Sequence, residues 1–234
     1  MGIEKITVLV YSHTDYSDVW EPFFVSLRRY LPENTTVYFC TNSVESTNVI
    51  GVIPLVYDEE KSYTERLHSC LSQIQDQVVL FLHEDMILFD KPDLQKIFNY
   101  IESIEKGDSS SIKLIPVGEI LYRSQQDTTL VHTTASQFSI QPTLVKISRL
   151  QEILQEAGPV SIWELERTVR REKNDFVSYI GDEIKRGQHH YDSKVFPYTA
   201  TAIVKGKWNF SEYEKELTQI LRESNIDKEI RGVV

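Results

Sequence analysis

The sequence is poor in the features that announce a class. Its two cysteines, Cys40 and Cys70, have no metal-ligand or redox spacing and fall in apolar periodic stretches. A disulfide framework is excluded, and both are expected as reduced core thiols. No apolar run approaches the ~20 residues needed to cross a bilayer. The opening Met-Gly-Ile-Glu-Lys lacks a signal peptide's charged and then apolar regions, and Ile6 stands where a myristoylation motif requires Ser or Thr. A cytoplasmic protein without a transmembrane segment is therefore expected. Basic charge is also short, with 25 Lys and Arg against 35 Asp and Glu, a net charge of -10. That balance argues against a general nucleic-acid binder, which must neutralise phosphates, but leaves room for a small phosphorylated ligand. No polar cluster carries a glycine-rich phosphate loop, so dinucleotide enzymes and NTPases of those kinds fall away. Repeats, low-complexity tracts and linkers are missing too, so the 234 residues read as a single domain.

What the sequence does contain is a strong centre. Val78 to Leu82 is an unbroken apolar run that leads into His83, Glu84 and Asp85, and Met86 to Phe89 resume the apolar pattern. Such a run reads as a strand buried on both faces, in the middle of a mainly parallel sheet. The polar triplet then lies at the carboxyl end, where open α/β sheets bind ligands. In extended chain His83 and Asp85 share a face, and an imidazole and a carboxylate converging there could hold a divalent cation.

Around this centre β and α signals alternate. Ile6 to Tyr11 reads as a strand ending in Ser12, His13, Thr14 and Asp15. A helix follows through Trp20, Phe23, Phe24, Leu27 and Leu31, with Asp18 as its expected cap. Val37 to Cys40 is a second strand, ending in Thr41, Asn42 and Ser43. Ile50 to Val56, broken by Pro54, is expected at an edge. One helix starts at Ser62, and another runs from Asp93 to Gly107. The pattern implies a parallel sheet with helices on its faces. Later come short strands at Ser111 to Val117, Ile120 to Tyr122 and Leu130 to Thr133. A helix is expected from Pro142 through Leu154, another after Ser161, a late strand over Tyr198 to Val204, and a polar helix from Ser211 to Ser224. The pattern divides at 1-107, 108-210 and 211-234, the last a closing helix and tail.

Several side chains carry chemistry in this pattern. Tyr63 and Arg66 lie one helical turn apart, suited to stacking on a base and pairing with phosphate. Ser161 and Glu164 match a capping box, yet Glu164, beside Trp163 at a helix start, could equally present a general base. Glu166 therefore stays in play. Lys205, Lys207 and Trp208 form a small basic and aromatic patch able to meet a diphosphate. His189 and His190 are adjacent and point apart, a weak metal tract.

Taken in order, these segments resemble the glycosyltransferase A fold, and especially its inverting family 2-like enzymes of the small capsule or virus type. The resemblance is carried by Ser12 to Asp15, Thr41 and Asn42, the apolar strand with His83, Glu84 and Asp85, then Gln141-Pro142, Ile162 to Glu166 and Val204 to Trp208. It implies a nucleotide-sugar donor, a glycan or a lipid- or protein-linked sugar acceptor, and a Mn2+ or Mg2+ cofactor. By position it makes Asp85 and His83 the metal ligands, His83 replacing the family's first aspartate. Glu164 becomes the base with Glu166 in reserve. Ser12, His13, Thr14, Asp15, Thr41, Asn42, Tyr63, Arg66, His83, Glu84, Gln141, Trp163, Lys205 and Lys207 become the donor-binding set. A sugar-phosphate nucleotidyltransferase and a catalytically silent nucleotide-binding scaffold of the same fold are the competing readings.

Overall fold

The computed structural model of the chain describes residues 5–44, 49–115, 119–133, 138–168, 175–178, 185–186 and 190–234. Its strands in chain order are β1 Thr7–Tyr11, β2 Thr36–Thr41, β3 Ile53–Val56, β4 Val78–His83, β5 Ser111–Lys113, β6 Ile120–Arg123, β7 Leu130–Thr133, β8 Thr143–Lys146 and β9 Asp175–Ser178. Two short hairpins follow, β10 Lys185–Arg186 with β11 His190–Tyr191, and β12 Ile203–Val204 with β13 Lys207–Trp208. The helices are α1 Ser17–Tyr30, α2 Tyr63–Leu71, α3 Leu94–Lys106, α4 Ile147–Ala157, α5 Ile162–Thr168, α6 Phe210–Glu223 and α7 Lys228–Arg231.

One nine-stranded sheet, ordered β3-β2-β1-β4-β8-β5-β9-β7-β6, carries the fold. β3, β2, β1 and β4 are mutually parallel, and β5, β9 and β6 run in the same sense. Strands β8 and β7 run against them. The α/β sheet flanked by helices and the central place of Val78–His83 are as the sequence implies. Alternation along β4 explains the two cores. Leu80 and Leu82 pack with Phe23, Phe24, Ile97 and Leu217 on one face, while Val79 and Phe81 pack with Leu67, Cys70, Leu150 and Leu165 on the other. Both cysteines are free and buried. Among the described residues no helix is long and apolar enough to cross a membrane.

Four local expectations are corrected. Thr143–Lys146 is a strand and not the start of a helix, because its backbone bridges β4 and β5, and α4 begins only at Ile147. Tyr198 to Val204 is mostly a strap. Only Tyr198 bridges Leu88, flanked by backbone bonds from the Thr199 N–H to Ile87 at 2.9 Å and from the Phe89 N–H to Pro197 at 3.1 Å, and the Thr199 hydroxyl accepts from the Ile87 N–H at 3.1 Å. Asp18 does not cap α1, whose N-cap is Tyr16; it sits in the first turn and pairs with Arg231. The tail after α6 is structured, with α7 followed by a bridge from Val233 to Trp208. Other expectations hold in detail. Ser62 closes a capping box with Glu65, Asp93 caps α3, and Gly107 ends it at φ 86°, a left-handed conformation that glycine adopts without strain.

Candidate active site

The carboxyl ends of β1, β2 and β4 are level, since Tyr11 pairs with both Cys40 and His83. The residues that follow each strand therefore meet at one edge. A cleft of about 830 Å³ opens there. Its floor is Ser12, His13, His83, Glu84 and Asp85, one wall is Ser139, Gln141, Trp163 and Glu166, and its rim is Thr201, Lys205 and Gly206.

The floor departs from the extended geometry expected of the triplet. β4 ends at His83, and the Met86 N–H donates back to the His83 carbonyl at 3.1 Å, so Glu84 and Asp85 occupy the corner of a turn. The alternation that would have put His83 beside Asp85 and turned Glu84 away does not extend into a turn, and Glu84 and Asp85 line the cleft together. Glu84 is 6% exposed. Burial, and then the charge of Asp85 beside it, push the Glu84 carboxyl up to about 8, against smaller opposing effects of hydrogen bonding and of Arg231. Burial pushes Asp85 up to about 7. The strap holds this corner in place, for the Asp85 carbonyl accepts from the Thr199 hydroxyl at 3.0 Å and the Ala202 N–H at 3.2 Å.

His83 belongs to an aromatic wall. Its Nε2 lies 3.2 Å from the Tyr63 hydroxyl, and its ring centre is 5.5 Å from that of Tyr11 and 5.4 Å from that of Phe81. Burial alone lowers its pKa to about 4, so the imidazole is neutral at physiological pH.

Ser12 is 1% exposed and accepts from the Trp20 indole at 2.7 Å, which fixes the first loop to α1. His13 bridges Glu59 at 2.7 Å and caps the short turn that follows by accepting from the Asp15 N–H at 3.1 Å. Thr14 and Asn42 bond reciprocally, the Thr14 N–H to Oδ1 and Nδ2 to the Thr14 hydroxyl, both at 3.0 Å. Thr41 is fully buried beneath them. Arg66 donates to the Glu59 carbonyl and lies 5.3 Å above the Tyr57 ring. Thr14, Thr41, Asn42, Tyr63 and Arg66 thus stand behind the floor and brace it, while the Asp15 side chain is exposed to solvent; none of the six lines the cleft.

The two candidate bases separate cleanly. Glu164 closes the capping box, accepting from the Ser161 N–H at 2.9 Å and the Ser161 hydroxyl at 2.7 Å, and those bonds lower its pKa. It points to solvent and does not line the cleft. Glu166 does, with Oε1 held by the Ile140 N–H at 2.6 Å. Trp163, 61% exposed, and Gln141 share its wall. Of the two lysines, Lys205 reaches the rim and Lys207 does not. His189 lies outside the described residues, and His190 is in β11.

Tyr16, Thr199 and Arg231 were not expected here. Tyr16 lines the cleft, and Arg231 approaches Glu84 closely enough to affect its charge. No short-range motif marks Arg231, which arrives from α7 by tertiary packing alone. Among the described residues no group of three His, Cys, Asp or Glu could hold a metal.

No protein-family model matches the sequence, and no curated protein matches it significantly. Solved structures resemble it in part. The glycosyltransferase GlyE of Streptococcus pneumoniae TIGR4 superposes with a TM-score of 0.49 at 14% identity, covering 76% of this chain and 45% of that one. Residues 1-349 of S. aureus TarS, in complex with UDP-GlcNAc, give 0.46 at 12% identity, covering 79% of this chain and 60% of that one. A nucleotidyl transferase from Methanothermobacter thermautotroptrophicus gives 0.45 at 13% identity, covering 75% and 87%. The chain thus spans less than half of the GlyE structure. Likeness at this level bears on neither activity nor ligand.

Proposed function

We propose that the chain is a nucleotide-sugar-dependent glycosyltransferase that inverts the anomeric centre. One observation carries the reading: a single cleft at the carboxyl edge of the parallel strands sets two adjacent acids, buried Glu84 and half-buried Asp85, on its floor and a third carboxylate, Glu166, on its wall. Two adjacent carboxyl groups, both raised in pKa by desolvation, call for a proton or a cation between them.

Their oxygen donors fit Mg2+ or Mn2+, which bind through one or two carboxylates and complete their shells with water and substrate phosphates. Asp85 and Glu84 would hold the ion; His83, engaged with Tyr63, drops out of the ligand set. When bound, the cation offsets the charge that grows on a leaving diphosphate. Glu166 is the general base. The backbone of Ile140 fixes one of its oxygens, so its carboxylate is positioned to take the proton of an acceptor hydroxyl. The acceptor's oxygen, its proton passing to Glu166, bonds to the anomeric carbon as the bond to the diphosphate breaks. Trp163 and Gln141, beside Glu166, line the acceptor side, while Ser12, His13 and Lys205 line the donor side.

Thermal denaturation against UDP, GDP, dTDP and CMP and their sugar conjugates, with and without Mn2+, tests the donor. One nucleotide class is expected to raise the melting temperature, since a ligand of the native state stabilises it by mass action. No shift with any of them refutes the reading. Once a donor is known, Glu166→Gln is expected to bind it as wild type does and to lose transfer by about 10²–10⁴-fold, the usual worth of a general base. Nucleotidyl transfer from a nucleoside triphosphate to a sugar phosphate would replace the proposal with a different chemistry.

A further inference from the structure

Lys205 and Gly206 form the tip of the β12–β13 hairpin, and both have positive φ, 49° and 78°. Glycine accepts that region freely; a lysine in it is strained, and retained strain at a cleft rim points to a side chain that is needed there. Lys205 stands above the acidic floor, at the rim. The hairpin's own strands are two residues each, and their pairing ends at Val204 and Lys207.

Arg231 holds the tip from outside. Its guanidinium makes a two-point contact with the Asp18 carboxylate, Nε donating to Oδ2 at 2.7 Å and Nη2 to Oδ1. Nη2 also donates to the Asp15 carbonyl at 3.1 Å, and Nη1 to the Gly206 carbonyl at 3.2 Å. The group lies 5.4 Å over the Tyr16 ring, and its side chain is 12% exposed. Backbone bonds secure the same contact, with the Trp208 N–H donating to Gly232 and the Val234 N–H to Trp208, each at 2.9 Å. One planar fork therefore ties the loop after β1 to the hairpin tip, across the mouth of the cleft. An ammonium has no such fork.

We propose that Arg231 is a positioning residue, locking the Lys205–Gly206 turn over the Glu84–Asp85 floor so that Lys205 meets the anionic part of the ligand. This rests on the reading of the cleft as a nucleotide-sugar site, and it adds that recognition of the diphosphate depends on a residue outside the cleft. Asp18, also outside the cleft, is the anchor.

The test uses the full chain and two probes, inorganic pyrophosphate with Mg2+ and the nucleotide that stabilises wild type. Arg231→Ala and Asp18→Asn are each expected to weaken both probes at least 10-fold. The double variant should be no worse than either single one, the non-additivity of a shared contact. Arg231→Lys keeps the charge and loses the fork, and is expected to bind as poorly as Arg231→Ala. Hydrogen exchange over residues 203–208, read without ligand, should quicken in all four variants while the core amides stay protected. Full rescue by lysine would overturn the proposal in favour of simple charge. So would unchanged nucleotide binding in Arg231→Ala, and that result would leave the glycosyltransferase reading standing. If wild type binds the nucleoside moiety but not pyrophosphate, the role of Lys205 fails alone; if it binds neither, both readings fail.

Discussion

At the scale of the residue, the most informative quantity is the acidity of the floor. Glu84 and Asp85 titrate higher in the folded chain than in the unfolded one, where ordinary carboxyls ionise near pH 4. The native state therefore holds protons that the unfolded state has released, and stability falls as pH rises through the folded values. His83 works the other way, but only below its unfolded value near 6.5, because it is already neutral in both states above that. Between pH 6.5 and 8.5 the melting temperature of the ligand-free protein is expected to fall. Glu84→Gln should flatten that slope, and millimolar Mn2+ should do the same for wild type. A slope identical in wild type and Glu84→Gln would show that the pair is not the source. The residues themselves were largely legible, since an apolar run that breaks into His-Glu-Asp and resumes must bury its charges. Which carboxylate faces which neighbour was not, because facing follows from where β4 stops and the turn begins, and one residue of difference reverses it.

At the scale of the element, α5 shows how one short helix separates two roles. Its first turn is closed by Ser161 and Glu164, which leaves Glu166, two positions on, facing the cleft. Glu164→Ala is expected to lower stability slightly, by opening one half of the capping box, and to leave donor binding and transfer intact. A chemical denaturation midpoint alongside an activity assay checks both halves, and loss of transfer would return Glu164 to candidacy as the base. Capping chemistry is local, so α2, α3 and α5 could be read from Ser62, Asp93 and Ser161 directly. Strand β8 could not. Leu144, Ile147, Leu150 and Leu154 repeat at helical spacing straight through the boundary at Lys146, and only pairing with β4 and β5 makes the first four residues extended. The strap after Tyr198 escaped for the same reason, its partners lying far back in the chain at Asp85 to Leu88.

At the scale of the molecule, the parallel half of the sheet was visible as alternating β and α signals, whereas the mixed half, built from strands of three or four residues, left little periodicity to read. The cleft lies where the two meet, and its parts come from distant stretches of the chain: the floor from Ser12, His13, Tyr16 and residues 83–86, the rim from Ala200, Thr201 and residues 203–206. That separation has a kinetic consequence. β1, β2, β4 and their helices pair across short loops, while the strap and hairpin can settle only on a sheet already formed, after a much longer loop has closed. The floor is expected to be a nucleus and the rim a late addition. Leu80→Ala, in the buried middle of β4, should slow folding, whereas Asn209→Ala, which removes the side-chain bond to the Thr201 carbonyl at 3.0 Å, should mainly speed unfolding. Stopped-flow measurement of both limbs decides between this order and its reverse. Until the rim arrives, Glu84 and Asp85 stand open to water and ionise as ordinary acids, so the raised proton affinity of the floor is itself a reporter of the last step of folding.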